Sequence, residues 1–228
     1  MSKDVYSSAG LWKGQDTSWL PKKAPTYTED QLANIARYEA DLAAQLAEKP
    51  KRLRHSLSVG LTAERMAVAY GLDPYLARVA GILHDWAKAE PNEKLAAEAS
   101  DLGISFEVEM RLVEPLLHGM VAARTLPNRY PELPAEVFQA IDRHTLGHAH
   151  MSELDMVIFV ADGIEPFRKS VKPIECQRAH VGKVALNDLF WESFADGVSY
   201  VIDTRRYLYP GTLAIYNEIA LARAAAEN

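Results

Sequence analysis

His84 and Asp85 stand side by side within the apolar run VAGILHDWA, residues 79–87. A carboxylate is rarely buried unless it is paired or bound to a metal, because an isolated charge in an apolar medium costs a large amount of free energy. Any fold of this chain must therefore bring other polar groups, or a cation, to this pair.

Four more residues with metal-binding side chains occupy similar positions, next to apolar stretches. They are His55, His118, His144 and Asp162. Neutral imidazole and carboxylate groups suit iron, manganese, zinc, cobalt or nickel, and helical folds build metal sites from ligands on different helices. Spacing alone does not decide between a metal site and a set of buried structural histidines. The remaining histidines are interpreted as surface or unassigned residues: His148, His150 and His180.

Helix-capping signals recur along the chain. The segment TEDQ, residues 28–31, is a capping box, and Asp73 followed by proline supplies an N-cap and a proline at the first helical position. Ser152 is expected to cap the segment ELDMVIFVADGI, and Asn187 is expected to cap the helix after it. The helix that begins after Asp73 is expected to carry His84 and Asp85 near its C-terminal end.

Strand signals are nearly absent, since the β-branched residues fall within helical periods. Only the run MVIFVA, residues 156–161, also suits a strand, and its cap and its neighbours favour a helix. The chain is therefore predicted to be all-α: a single helical bundle of about eight to ten helices over residues 28–228. Residues 1–27 lack a clear period and are predicted to be an N-terminal extension, disordered or draped over the body.

Charge and composition exclude several classes of protein. The net charge of −6 argues against nucleic-acid binding through a broad basic surface. A single cysteine, Cys176, cannot form an internal disulfide. No signal-peptide pattern is visible, and no run approaches the roughly 18 apolar residues of a membrane span. We therefore expect a cytoplasmic protein with neither a nucleic-acid nor a membrane partner.

The order His…His-Asp…Asp in an all-helical chain resembles the HD-domain metal phosphohydrolases. A closer resemblance, to the bacterial YqeK family, is carried by the segments RLRHSL, GILHDWAKAEP, LLHG, HTLGHAHMSELDMVIFVADGIEPFR and TLAIYN. It covers about residues 50–217. Members of that family are symmetrical bis(5′-nucleosyl)-tetraphosphatases, which split diadenosine tetraphosphate into two ADP.

The resemblance implies a dinuclear metal site, typically of iron, although manganese, cobalt, nickel and zinc suit the same donors. Six side chains are implied as ligands: His55, His84, Asp85, His118, His144 and Asp162. Asp85 would bridge the two ions and, with Lys88, form the catalytic pair. Gly163 departs from the family pattern, in which a larger, often aromatic residue is expected.

Four residues are candidates for binding the substrate. Arg52 lies one turn before His55, and Lys88 lies one turn after His84, so that each shares a helix face with a ligand. Both carry cations that can reach phosphate oxygens, Arg52 as a planar fork and Lys88 as a point charge. Their alternative is to be solvated helix-end cations. Thr145 and Arg168 lie within the family motif and are the other two candidates.

The predicted function is the symmetrical hydrolysis of diadenosine tetraphosphate by metal-activated water, with a dinucleoside polyphosphate as the partner and a homodimer left open. Three alternatives remain. The chain could be another HD-domain phosphohydrolase, acting on mononucleotides or cyclic dinucleotides. It could be a nucleotide-binding regulator without turnover, or an iron-dependent oxygenase.

Overall fold

A computed structural model describes residues 10–226, and within that range it contains ten α-helices and no strand. The helices are α1 (Glu29–Gln45), α2 (Pro50–Tyr70), α3 (Pro74–Leu83), α4 (Asn92–Asp101), α5 (Leu117–Arg129), α6 (Ala135–Arg143), α7 (Glu153–Ile164), α8 (Lys172–His180), α9 (Leu186–Asp203) and α10 (Pro210–Ala226). Short 3₁₀ turns occupy Trp86–Ala89, Met110–Leu112 and Glu114–Leu116. The all-α prediction is confirmed. None of the described helices is long and apolar enough to cross a membrane.

Most of the predicted helix starts are confirmed by their caps. The Thr28 hydroxyl accepts a hydrogen bond from the Gln31 amide at 3.2 Å, and the Gln31 side chain accepts one from the Thr28 amide at 3.0 Å. Ser152 forms the same kind of box at the start of α7. The Asn187 prediction is wrong, because α9 begins at Leu186. Extended backbone at Ala185 makes that residue the N-cap and puts Asn187 in the first turn.

The predicted C-terminal end of α3 is also wrong. The helix stops at Leu83, so that His84 is its C-cap and Asp85 lies outside it. The Nδ1 atom of His84 lies 2.7 Å from the carbonyl oxygen of Gly81, one of the carbonyls that a helix end leaves without an intrahelical partner. The chain then turns into the 3₁₀ segment Trp86–Ala89, whose N-cap is Asp85.

Helices α2 and α3 pack against each other at two glycines in the core. A Cβ atom on Gly81 would lie 2.6 Å from the Cα atom of Gly60, so the backbones meet where no side chain fits. Around this contact the helices bury aliphatic side chains such as Val59 and Ile82, both fully inaccessible to solvent. The close approach brings the start of α2, with His55, next to the end of α3.

The described part of the N-terminal extension, residues 10–27, lies against the helical body. Leu20 is buried in the core. The indole nitrogen of Trp12 donates a hydrogen bond to the Ser58 hydroxyl at 2.8 Å, and the Tyr27 hydroxyl donates one to Glu64 at 2.8 Å. These contacts match the draped alternative for this segment. The first nine residues of the predicted extension lie outside the described residues.

Candidate metal centre

Four buried histidines are held in place through their Nδ1 atoms. In three of them Nδ1 lies within hydrogen-bond distance of the backbone carbonyl three residues earlier: His84 and Gly81 at 2.7 Å, His118 and Pro115 at 3.1 Å, His144 and Ile141 at 2.6 Å. A carbonyl only accepts hydrogen bonds, so Nδ1 carries the proton in each ring. The Nε2 atom of each neutral ring is then left with a free lone pair.

The fourth histidine, His55, is held by a carboxylate instead of a carbonyl. Its Nδ1 atom lies 3.1 Å from Oε1 of Glu165, and Glu165 is buried. A carboxylate behind the far nitrogen of an imidazole is a common support for a metal ligand, because it fixes the orientation of the ring and raises its basicity. Glu165 was not among the residues that the sequence predicted for the site. The two residues lie 110 positions apart, so no local signal connects them.

Asp85 lies at the centre of the imidazoles, with each carboxylate oxygen facing a different side. Its Oδ1 atom is 3.2 Å from Nε2 of His118. Its Oδ2 atom is 3.4 Å from Nε2 of His84 and 3.6 Å from Nε2 of His55. This arrangement is what a bridging carboxylate requires. A second carboxylate, Asp162, places Oδ1 2.9 Å from Nε2 of His55.

The donor atoms fall into two overlapping groups whose members lie within 4.8 Å of one another. One group is His55, His84 and Asp162, and the other is His84, Asp85 and His144. His118 belongs to neither group, but its Nε2 atom lies 3.0 Å from Nε2 of His144 and 3.2 Å from Oδ1 of Asp85. The structure thus brings together all six side chains that the sequence predicted as ligands.

The unmet bonding capacity of these atoms fits a bound cation. Nε2 of His84 is buried and has no hydrogen-bond partner among residues 10–226. The facing lone pairs of His118 and His144 repel each other unless a proton or a metal ion lies between them. Imidazole and carboxylate ligands of this kind suit first-row transition metals.

The two carboxylates are held in the ionised form. Burial opposes ionisation of Asp85, but the adjacent His84 and His118 outweigh it and hold the pKa of Asp85 well below its usual range. Burial also opposes ionisation of Asp162, and there Arg168 and His55 keep the pKa low. Both carboxylates therefore carry the negative charge that a metal ion needs.

Two of the imidazoles are held neutral. Burial and the neighbouring His118 and His84 lower the pKa of His144 to about 3. Burial likewise lowers the pKa of His118. His55 differs: burial disfavours its charged form, but Asp162 and Glu165 raise its pKa to about 9. A metal ion at this position must therefore displace a proton from His55.

The two arginines predicted to bind phosphate contact the ligand carboxylates. Arg52 donates to Oδ2 of Asp85 at 2.6 Å, and Arg168 donates to Oδ1 of Asp162 at 2.6 Å. Both are partly exposed and line a groove of about 590 Å³. The groove is rich in cations and opens at His55. Its charged lining residues are Lys49, Lys51, Arg52, Arg54 and Arg168, with Glu48, His55 and the buried Glu165.

Thr145 and Lys88 also lie next to the ligands. The Thr145 hydroxyl is 3.1 Å from Nε2 of His144 and 3.3 Å from Nε2 of His118. Lys88 follows Asp85 in the 3₁₀ turn, and burial lowers its pKa.

The other positions singled out in the sequence lie around this centre or away from it. Gly163 has room for a side chain, since a Cβ atom there would meet only the Ser193 hydroxyl at 3.6 Å. His150 is exposed, and His180 pairs with Glu192 at 2.7 Å. Neither histidine belongs to the six-residue cluster.

Comparison with known proteins finds a matching family model and several similar proteins. The family model described as HD domain matches residues 52–166. The symmetrical bis(5′-nucleosyl)-tetraphosphatase of Halalkalibacterium halodurans is 31% identical over 172 residues, which cover 75% of this chain and 89% of that protein. The Bacillus subtilis protein of the same name is 28% identical over 169 residues, covering 73% and 88%. A crystal structure from Clostridium acetobutylicum, described as a predicted HD superfamily hydrolase involved in NAD metabolism, matches with a TM-score of 0.70 and 32% identity, over 87% of this chain and 100% of that one.

Proposed function

The chain belongs to the HD-domain family of metal-dependent hydrolases, and from this premise we propose that it splits diadenosine tetraphosphate symmetrically into two ADP at a dinuclear metal centre. The observation that carries the proposal is the cluster of four Nε2 atoms around the Asp85 and Asp162 carboxylates. Two relatives that align over most of their length carry the name of this activity. We propose iron as the resident metal.

In this proposal His55, His84, Asp85 and Asp162 would hold one ion. His118 and His144 would hold the second, with Asp85 as a shared ligand. When bound, the two ions supply an activated water molecule and neutralise charge on the phosphate oxygens. The chain's own contribution is to fix the ligands: each Nδ1 atom is held by a carbonyl or carboxylate oxygen, so the rings need no reorientation.

The proposal gives the cationic side chains the task of holding the polyphosphate. Arg52 and Arg168 each use part of the guanidinium on a ligand carboxylate. Arginine has five N–H donors, so each keeps others for phosphate oxygens. Lys88 adds a point charge and the Thr145 hydroxyl adds a donor. A protein of net charge −6 can bind a polyanion here because positive charge is concentrated in the groove.

The products test the proposal directly. The metal-loaded full chain is incubated with diadenosine tetraphosphate, and the nucleotides are separated by chromatography. ADP as the sole adenine product is the expected result, with Asp85→Ala as the inactive control. AMP with ATP, or no cleavage under any metal, would overturn the proposal. Metal analysis of the purified protein tests whether iron is bound. Reconstitution of metal-free protein compares the activity with iron to the activity with manganese, cobalt, nickel and zinc.

A further inference from the structure

A second cavity reaches the metal centre at Thr145 and shares no lining residue with the cationic groove. It has a volume of about 150 Å³, and we call it the aromatic pocket; its lining includes Thr145, Phe159, Phe194, Gly197, Tyr207 and Tyr209. The described residues that line it include no charged side chain. The pocket is therefore chemically opposite to the groove, which carries five lysine and arginine side chains.

The aromatic pocket begins at the metal centre itself. Thr145, part of its wall, lies within 3.3 Å of Nε2 of both His118 and His144. Leu116, another wall residue, lies two positions before His118. The groove instead adjoins His55, and the two cavities share no lining residue. The two cavities therefore reach the centre at different side chains, the groove at His55 and the pocket beside His118 and His144.

The lining of the pocket suits a flat heterocyclic ring. The rings of Phe159 and Phe194 lie 5.9 Å apart, centroid to centroid, and Tyr207 is exposed at the edge. Aromatic faces attract other aromatic rings in stacked or edge-on arrangements. An apolar cavity of about 150 Å³ accommodates benzene, and this one is open to solvent, so a larger ring system can project from it. The lining offers no cation to pair with phosphate, so it favours an uncharged ring over a phosphate group.

We propose that the aromatic pocket binds one nucleobase of the substrate and that the cationic groove receives the other arm. This inference rests on the proposed function. A symmetrical tetraphosphate that is cut at its central bond has two phosphates and one nucleoside on each side of the bridging oxygen. The centre needs a base site on at least one side, and the aromatic pocket supplies it beside Thr145.

Gly197 allows the pocket to be filled without disturbing the ligands. It lies on α9, and a Cβ atom there would meet no atom within 4 Å. Because Gly197 lines the pocket, Gly197→Leu adds a side chain at the pocket wall without a clash, and leucine favours a helix interior more than glycine does. Ser199→Leu is the matched control, because Ser199 is exposed on the same helix and does not line the pocket.

The experiment compares the binding of ADP and of inorganic pyrophosphate to metal-loaded protein by calorimetry. Gly197→Leu should weaken ADP binding at least tenfold and leave metal content and pyrophosphate binding unchanged, while Ser199→Leu should match the wild type. If Gly197→Leu does not fold, Tyr207→Ser removes an exposed ring from the edge of the pocket and should also weaken ADP binding selectively.

The outcomes separate this inference from the function on which it rests. Unchanged ADP binding in folded Gly197→Leu overturns the base site, even if the wild type cleaves diadenosine tetraphosphate. Equal losses for ADP and pyrophosphate also overturn it, since the pocket would then not be selective for the base. If Gly197→Leu selectively loses ADP binding but the wild type does not cleave diadenosine tetraphosphate, the base site is supported and the proposed function is contradicted.

Discussion

Replacing Glu165 by glutamine should weaken metal binding without unfolding the protein. In the native chain, Oε1 of Glu165 lies 3.1 Å from Nδ1 of His55, and Oε2 accepts a hydrogen bond from the Phe167 amide at 2.8 Å. Glutamine has a single acceptor oxygen. If the Phe167 amide keeps that oxygen, the new NH₂ group faces the Nδ1 proton of His55, and two donors oppose each other.

This unfavourable contact should weaken metal binding because it changes which ring nitrogen of His55 carries the proton. The ring can accept from glutamine only by moving its proton to Nε2, the atom that faces Asp162 and the centre. Losing an outer carboxylate of this kind typically lowers metal affinity ten- to a hundredfold. At about 1.4 kcal/mol for each factor of ten, that is about 1.4–2.7 kcal/mol of binding free energy.

The measurement needs no turnover. Metal-free protein is titrated in competition with a chromophoric chelator, and the rise in melting temperature with added metal is recorded in parallel, since a ligand that binds only the folded state stabilises it by mass action. Glu192→Gln is the matched control. Its carboxylate also holds an imidazole, Nδ1 of His180 at 2.7 Å, but neither residue is among the six ligands.

Two results would refute this reasoning. Unchanged affinity in a folded Glu165→Gln protein would mean that the carboxylate does not orient His55. A loss of unfolding free energy in the metal-free protein, with metal affinity intact, would mean that Glu165 only anchors the neighbouring backbone through Phe167. An equal loss of affinity in Glu192→Gln would point to a general effect of charge.

Three further substitutions test the centre and its surroundings. Asp85→Ala removes the proposed bridge and should abolish both dinuclear metal loading and hydrolysis, which metal analysis and product chromatography measure; full activity in the folded variant would contradict the ligand assignment. Arg52→Lys keeps the charge but loses the planar fork, and turnover should fall ten- to a hundredfold, or about 1.5–3 kcal/mol, at normal metal content. A fall in metal content would show instead that Arg52 supports Asp85, and no change in either would leave it a surface cation. Trp12→Phe removes the indole N–H that bonds Ser58 and should reduce the unfolding free energy by about 0.5–1.5 kcal/mol in denaturant titration; wild-type stability would show that the extension is not held through this bond.

The helix starts, and the six side chains that the structure brings together, could be predicted because both leave local marks in the sequence. A capping box such as that at Thr28 is complete within four residues. A polar side chain within an apolar stretch, such as His84, is easily recognised, because burying a polar group costs free energy unless it has a bonding partner. The resemblance to a known family then grouped residues that spacing alone could not connect.

Helix ends could not be predicted as well, because they depend on contacts that form only in the folded chain. His84 ends α3 by bonding the Gly81 carbonyl while its other nitrogen faces the centre. Helix α8 was missed altogether, although Pro173 at its start is a recognised signal. The Glu165–His55 contact joins α2 to the segment after α7, and only the packed core brings them together.

The glycine contact between α2 and α3 has a consequence for engineering this protein. Exchanging a mid-helix glycine for alanine usually adds up to about 1 kcal/mol of stability and is a standard route to thermostable variants. At Gly81 the added methyl group would press on the backbone of Gly60 from 2.6 Å and force the two helices apart. His55 lies on α2 and His84 caps α3, so separating the two helices would also move two proposed metal ligands apart. Overpacking at this contact should cost more stability than the helix propensity of alanine adds, so Gly81 is a mid-helix glycine that stability engineering should leave unchanged.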